Sequence, residues 1–258
     1  MTELLATQRR RIGRAIILAS IASSGLWRHR KLPHDATREQ AAQWLHETCA
    51  RALRSIGVEV QITGQLPARG LIVSNHLSYL DILVFSAALP CVFVSKADVA
   101  EWPVFGRYAT WAGSVYVKRH DRADAARANA SVGEALQNGV PVVLFPEGTT
   151  TDGLQVLRFH STMLQPAIDV AAPITPTAIA YELSDGDPSR EAAWWGDMSF
   201  LRHALNLLGK KSIRARIIFS APTRAKGDRK ALSAALHEQV VRLRENLKQN
   251  LVEREVRK

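Results

Sequence analysis

The sequence predicts a single α/β domain with a mostly parallel central sheet flanked by helices, preceded by an N-terminal helical segment. Three observations support this fold class. Short β-branched runs alternate with helical segments, which is typical of a parallel sheet covered on both faces. The strand candidates are almost continuously apolar, as in Val-Pro-Val-Val-Leu-Phe at 140–145, which burial on two sides requires. A length of 258 residues suits one such domain.

Seven runs are predicted as strands, at 58–63, 71–74, 92–95, 114–118, 140–145, 175–181 and 213–220. Helices are predicted from a start within 33–37 to about Ser55 and at 79–89, 103–111, 123–137, 158–170 and 228–258. Parallel crossovers would deliver the loops that carry function to the carboxyl edge of the sheet. We therefore divide the chain into a helical segment at 1–56 and an α/β domain at 57–258, whose last helix covers the sheet.

The N-terminal segment has a basic cluster, then an uncharged run, then a second basic cluster. The run from 15 to 27 would extend only about 20 Å as a helix, short of the roughly 30 Å hydrocarbon core. A signal peptide and a helix packed on the core are both open alternatives. The favoured interpretation is an interfacial helix, with arginine and lysine side chains on lipid phosphates.

The charge balance indicates an anionic partner. Lys and Arg number 34 against 24 Asp and Glu, for a net charge of +10. The basic residues are not interleaved with aromatic residues, so we expect no nucleic acid and favour a phospholipid membrane surface. The two cysteines form no C-x-x-C pair and suit a reducing compartment.

The stretch Asn75-His76-Leu77-Ser78-Tyr79-Leu80-Asp81 carries the strongest chemical signal. Residues five apart on one helix point about 140° away from each other. His76 and Asp81 can therefore meet only if His76 lies in the loop and Asp81 in the first helical turn, with Ser78 as the N-cap. A histidine held by a carboxylate is a general base for an alcohol. Asp81 could instead only complete a capping box with Ser78.

Three further motifs follow in the order of the chain. The segment 113–119 is a strand candidate ending in Lys118-Arg119, where a guanidinium could bind phosphate in bidentate fashion. Phe145-Pro146-Glu147-Gly148-Thr149 is a sharp turn directly after a buried strand. The segment 173–176 is a strand start bracketed by prolines.

Together these four motifs resemble the glycerolipid acyltransferase family, in particular the 1-acylglycerol-3-phosphate acyltransferases. The resemblance covers roughly residues 55–225. It implies that His76 acts as general base on a lipid hydroxyl and that Asp81 orients the imidazole ring. It also implies that Arg119 holds the phosphate of the acceptor and that Glu147 and Gly148 shape the acceptor pocket.

The same resemblance assigns Asn75, Ser78 and Thr149 to substrate binding. Many family members carry Arg where this chain has Thr150, so a phosphate ligand is either absent or supplied by Arg158. The acceptor implied by the resemblance is 1-acylglycerol-3-phosphate, giving phosphatidic acid. A lyso-ornithine lipid or another lysolipid is the alternative.

The acyl donor implied by the resemblance is an acyl-CoA or acyl-ACP thioester, used as a substrate, with no cofactor and no metal. An apolar groove should lead an acyl chain to His76. The resemblance further implies a membrane-associated enzyme on the cytoplasmic face of the inner membrane. A lipid or thioester hydrolase, in which His76 activates water, is the rival from another class.

Overall fold

The computed structural model describes residues 2–102, 105–117 and 122–256, and it confirms the α/β fold with a mostly parallel sheet flanked by helices. Its helices are α1 Thr2–His29, α2 Arg38–Ser55, α3 Leu80–Ala88, α4 Phe105–Trp111, α5 Arg122–Gln137, α6 Gln165–Asp169, α7 Pro188–Glu191, α8 Phe200–Gly209 and α9 Arg229–Val256. Its strands are β1 Val58–Thr63, β2 Leu71–Ser74, β3 Val92–Lys96, β4 Val115–Val117, β5 Val142–Leu144, β6 Pro173–Leu183, β7 Ile213–Phe219 and β8 Thr223–Arg224.

The described strands form one sheet in the order β1-β7-β6-β2-β5-β3-β4, and β8 pairs with β6. All neighbours along this order are parallel except β6 and β7, which are antiparallel, as are β6 and β8. The long strand β6 lies in the middle and pairs with β2 on one side and β7 on the other. The loops that follow β2 and β5 therefore leave from the same carboxyl edge of the sheet.

Helices cover both faces of the sheet, and each face has its own hydrophobic core. On one face α2 and α3 bury residues such as Trp44, Leu45 and Phe85 against the sheet. On the other face α5 and α9 bury residues such as Val132 and Leu236. Every residue of β2 and β5 is buried, as two-sided coverage predicts.

The predicted helix at 158–170 is wrong in part, and the predicted N-cap of α3 is wrong. The predicted helix at 158–170 is instead an irregular segment, a short 3-10 helix Ser161–Leu164 and then α6, and Pro166 lies at the start of α6 because a proline cannot donate within a helix. Ser78 is not the N-cap of α3: Tyr79 takes that position and makes no side-chain capping bond. Helix α8 was not predicted.

Helix α1 is docked onto the domain by arginines that bind the end of α8. Arg10 donates to the Gly209 carbonyl at 2.6 Å, and Arg14 donates to the carbonyls of Leu208 and Lys210. Cations stabilise a helix C-terminus because its last carbonyls are unpaired and carry partial negative charge. Within the described residues, no helix combines the length and the apolar character needed to cross a bilayer.

Candidate active site

The loop after β2 brings His76 to Asp81, as the spacing predicts. His76 Nδ1 lies 2.8 Å from Asp81 Oδ2, and Asp81 is in the first turn of α3. The Asp81 side chain has no exposure to solvent, whereas the His76 side chain is 17% exposed. The His76 ring stacks on Phe145, with the ring centroids 4.0 Å apart. The imidazole is therefore fixed on one face and at one nitrogen.

Asp81 accepts hydrogen bonds on both of its carboxylate oxygens. Oδ2 also accepts from the backbone N–H groups of Leu77 and Ser78, at 2.7 and 3.1 Å. Oδ1 accepts from the hydroxyl of Tyr181 on β6 at 2.5 Å. Four donors around one buried carboxylate stabilise its ionised form, because burial would otherwise disfavour the charge.

The tautomer of His76 follows from this arrangement. An ionised carboxylate can only accept, so Nδ1 carries the ring proton and donates it to Asp81. Nε2 then holds the free lone pair, and it has no hydrogen-bond partner in the part of the chain that the structure describes. The ring is thus arranged to accept a proton at Nε2 from a bound hydroxyl.

Every backbone polar group from His76 to Ser78 has a partner. The N–H of His76 donates to Glu147, and the N–H groups of Leu77 and Ser78 donate to Asp81. The carbonyls of His76, Leu77 and Ser78 accept from the N–H groups of Thr151, Trp194 and Asp81, respectively. We call residues 75–78 the catalytic turn, and the paired backbone of its residues 76–78 limits the ways it can move.

Glu147 joins the catalytic turn to the loop that follows β5. Its Oε1 accepts from the His76 N–H and its Oε2 from the Leu157 N–H, both at 2.7 Å. Burial raises the pKa of Glu147 to about 7, although both hydrogen bonds oppose the shift. Gly148 follows with φ +71, a left-handed conformation that glycine adopts without steric cost.

Asn75 and Ser78 were predicted to bind substrate, but the structure places both inside the protein. Both residues of the Asn75–Ile179 pair are buried: the Asn75 amide donates to the Ile179 carbonyl and accepts from its N–H, at 3.1 and 2.9 Å. Ser78 Oγ accepts from the Leu80 N–H within the turn. These contacts tie the catalytic turn to β6 and to α3 and leave neither side chain facing the cleft described next.

A cleft of about 510 Å³ opens beside His76. Apolar side chains from α2, α3 and the segment after β3 form much of its lining, among them Leu45, Ile82, Leu83 and Trp102. Mostly apolar walls with a few polar groups are typical of a small-molecule site. The expected apolar groove therefore lies next to the imidazole.

The predicted acceptor-binding residues differ in where they lie. Gly148 and Thr149 line the cleft, and so does Thr150. Arg158 is exposed and lies outside the cleft lining. Arg119 belongs to the segment 118–121, outside the described residues. Among the described residues, no three His, Cys, Asp or Glu side chains are grouped to hold a metal ion.

Two residues with clear contacts at the site were missed by the sequence analysis. Lys96, at the carboxyl end of β3, lines the cleft with Asp98 and Asp197. The argument that drew attention to Lys118-Arg119, a cation ending a parallel strand, would also have found Lys96. Tyr181 has no local signal, because it lies a hundred residues from Asp81 in sequence.

Comparisons with known proteins agree with this fold and identify the family. The family model described as Acyltransferase matches residues 57–180. The lyso-ornithine lipid O-acyltransferase of Pseudomonas aeruginosa is 33% identical over 201 residues, 78% of this chain and 76% of that protein. The 1-acyl-sn-glycerol-3-phosphate acyltransferase of Neisseria meningitidis is 32% identical over 192 residues, 73% of this chain and 75% of that protein.

The solved structure of the 1-acyl-sn-glycerophosphate (LPA) acyltransferase PlsC from Thermotoga maritima superposes with a TM-score of 0.68. The match covers 96% of both chains at 21% sequence identity, which shows a shared fold.

The fold, the His76–Asp81 pair and these matches define an acyltransferase. The chain belongs to the family of lysolipid acyltransferases that includes the two bacterial relatives above, which confirms the resemblance found in its motifs.

We predict that Tyr181→Phe weakens both catalysis and stability. The change leaves Asp81 Oδ1, a buried charged oxygen, without its hydroxyl donor. A hydrogen bond to a charged group contributes about 1.5–3 kcal/mol, so the free energy of unfolding should fall by about that amount. The kcat should fall about tenfold or more because the carboxylate is less firmly placed. Tyr116→Phe is the matched control, since that hydroxyl bonds to Thr110 and Gly106 on α4. Equal kcat and unfolding midpoints in both variants would contradict the role of Tyr181.

We predict a pH-dependent stability difference between the wild type and Glu147→Gln. The pKa of Glu147 is about 7 in the folded protein, above its ordinary 4.5, so the folded state binds the proton more tightly. This contribution is present below pH 4.5 and is lost as pH rises through 7. Between pH 5 and 8 the wild type should therefore lose about 3 kcal/mol relative to the variant. Urea unfolding across this pH range measures the difference, and parallel curves would contradict the shift.

Proposed function

We propose that this protein transfers a fatty acyl group from an acyl-CoA or acyl-ACP thioester to the free hydroxyl of a lysolipid. The observation that carries the proposal is the position of His76 Nε2, which no described residue binds, beside an apolar cleft, with Nδ1 held by Asp81. A base at that position matches proton removal from a lipid alcohol, and the cleft matches a fatty chain.

The chemical steps follow from the geometry of His76. Nε2 removes the proton from the acceptor hydroxyl as its oxygen attacks the thioester carbonyl carbon. The carbon–sulfur bond then breaks, and the thiolate leaves and takes a proton from the imidazolium. Asp81 stabilises the imidazolium between these steps, because its carboxylate already accepts the Nδ1 proton. The steps need neither a covalent acyl-enzyme nor a cofactor.

The charged side chains that line the cleft bear on which of two candidate acceptors binds there. For 1-acylglycerol-3-phosphate, the favoured acceptor, Lys96 and Arg119 would bind the phosphate. Lyso-ornithine lipid is the second candidate, and a specific observation favours it. Thr150 lines the cleft where many relatives carry Arg, and the acids Asp98 and Asp197 line it together with Lys96. Acids and a cation in one cleft suit a head group that has both an ammonium and an anionic group.

We propose that α1 rests on the cytoplasmic leaflet of the inner membrane. Leu5, Ile12, Ile16 and Trp27 lie within about 60° of arc on its outer side and are 57, 60, 65 and 58% exposed. The opposite side of α1 packs on the domain through Arg10, Arg14 and Leu18. Exposed apolar residues bounded by cations are typical of an interfacial helix on anionic lipid.

We predict that His76→Ala lowers acyl transfer by about 10²–10⁴-fold, because it removes the general base. The purified protein would be incubated with acyl-CoA or acyl-ACP and, separately, 1-acylglycerol-3-phosphate or lyso-ornithine lipid. Mass spectrometry identifies the diacyl product. His34→Ala is the control, since His34 is exposed and distant in sequence from the site. Thioester loss that is equally fast without lysolipid would mean a hydrolase, and near-normal turnover in the His76 variant would remove the mechanism.

We also predict that the double variant Ile12→Asp with Ile16→Asp binds anionic vesicles at least about tenfold more weakly, because two apolar side chains no longer enter the lipid. Sedimentation with phosphatidylglycerol vesicles measures the binding. Leu66→Asp changes an exposed leucine outside α1 and should leave it unaltered. Equal losses in both proteins would argue against α1 as the contact.

A further inference from the structure

Helix α9 carries a polar stripe beside the apolar stripe that covers the sheet. Leu236, Val240, Leu243 and Leu247 pack toward the sheet and the neighbouring core. Next to them lie Ser233, His237, Arg244 and Lys248, which we call the polar stripe. Their spacings of four, seven and four residues place all four within about 60° of arc on the helix. A covering helix needs only the apolar stripe.

Each side chain of the polar stripe binds a backbone carbonyl in the segment 153–159. Ser233 Oγ donates to Phe159 at 3.2 Å, and His237 Nε2 donates to Val156 at 3.1 Å. Arg244 Nη2 donates to Gly153, and Lys248 Nζ donates to Leu154, both at 3.1 Å. The segment has no regular helix or strand, so its carbonyls lack the partners that secondary structure would supply. The polar stripe of α9 supplies four of these partners.

The same part of the chain also contacts the catalytic turn, through residues 151 and 157. The N–H of Thr151 donates to the His76 carbonyl at 3.0 Å. The N–H of Leu157 donates to Glu147, which also accepts from the His76 N–H. The segment 151–159, which we call the bridging loop, therefore lies between α9 and the residue that carries the reactive imidazole.

Gly153 lies between the catalytic turn and α9. A Cβ at this position would lie 2.9 Å from Leu77 Cδ2 in the catalytic turn and 3.1 Å from Arg244 Nη2 in α9. Its φ of +75 is left-handed, which also favours glycine. Arg244 thus reaches across a single residue to the catalytic turn.

We propose that α9 positions the catalytic turn through the bridging loop and that Arg244 is the principal positioning residue. Arg244 is charged, and a hydrogen bond from a charged donor is about twice as strong as a neutral one. Its guanidinium is largely enclosed, and its Nε has no hydrogen-bond partner among the described residues. An enclosed cation with so few partners has a desolvation cost, which its bond to Gly153 partly offsets. The inference rests on the proposed function, because it assigns the bridging loop to placing His76 against the acceptor.

Arg244→Gln tests the proposal, with Arg244→Lys as the conservative variant. Gln is too short to reach the Gly153 carbonyl in place, whereas Lys retains the charge and a donor. We expect Arg244→Gln to lower kcat about tenfold or more and to raise the acceptor KM with little change in the donor KM, since the loop lies beside Thr149 and Thr150. Arg244→Lys should recover a large part of the kcat. Arg242→Gln, on the exposed side of the same helix, is the matched control.

Hydrogen exchange supplies a readout that does not depend on activity. Amides of the bridging loop, including Thr151 and Leu157, should exchange about tenfold faster in Arg244→Gln than in Arg242→Gln, at equal unfolding midpoints. Equal exchange in the two variants, or kinetic constants in Arg244→Gln that match the wild type, would overturn the proposal. If the wild-type protein transfers no acyl group but the two variants still differ in hydrogen exchange, the proposed function is overturned and the positioning contact is retained.

Discussion

The buried carboxylate of Asp81 is the interaction on which the site depends. Alone, an ion without solvent contact would carry a large desolvation cost. Here it accepts from the imidazole, from two backbone N–H groups and from the Tyr181 hydroxyl. Because the backbone donors belong to the catalytic turn itself, the acid that orients His76 also folds the loop on which His76 lies. Orientation of the base and shape of the turn therefore have one common cause.

Hydrogen bonds from the surrounding elements also hold the catalytic turn in place. Asn75 binds the backbone of β6, Glu147 binds the His76 N–H, and the Trp194 N–H binds the Leu77 carbonyl. Trp194 also lines the cleft, whereas the side chains of Asn75 and Glu147 do not. The effect of these hydrogen bonds is to fix the direction of the imidazole, which is a large part of what a positioned general base contributes. Glu147, which the resemblance assigns to the acceptor pocket, is in its observed contacts a connector between two loops.

The sequence was informative where the interactions are local. The bounds of β1 and β2 were predicted correctly, and His76 meets Asp81 because a loop and a first helical turn allow only that geometry. Tyr181 could not be found in this way, since its contact with Asp81 depends on how β6 pairs with β2. The predicted helix at 158–170 began too early, because Phe159 still belongs to the bridging loop and its carbonyl is bound by Ser233 of α9, 74 residues later in the chain. The placement of Arg119 stays a prediction.

The central position of β6 has a consequence for how the protein is made. His76 and Asp81 leave the ribosome together, but Tyr181, whose hydroxyl donates to the Asp81 carboxylate, is synthesised a hundred residues later. Antiparallel pairing with β7 requires still more chain to emerge. A nascent chain that ends before β6 would hold the acid and the imidazole without the hydroxyl donor or the Ile179 backbone. The site is therefore completed late in translation, when the C-terminal third of the protein folds onto the earlier strands.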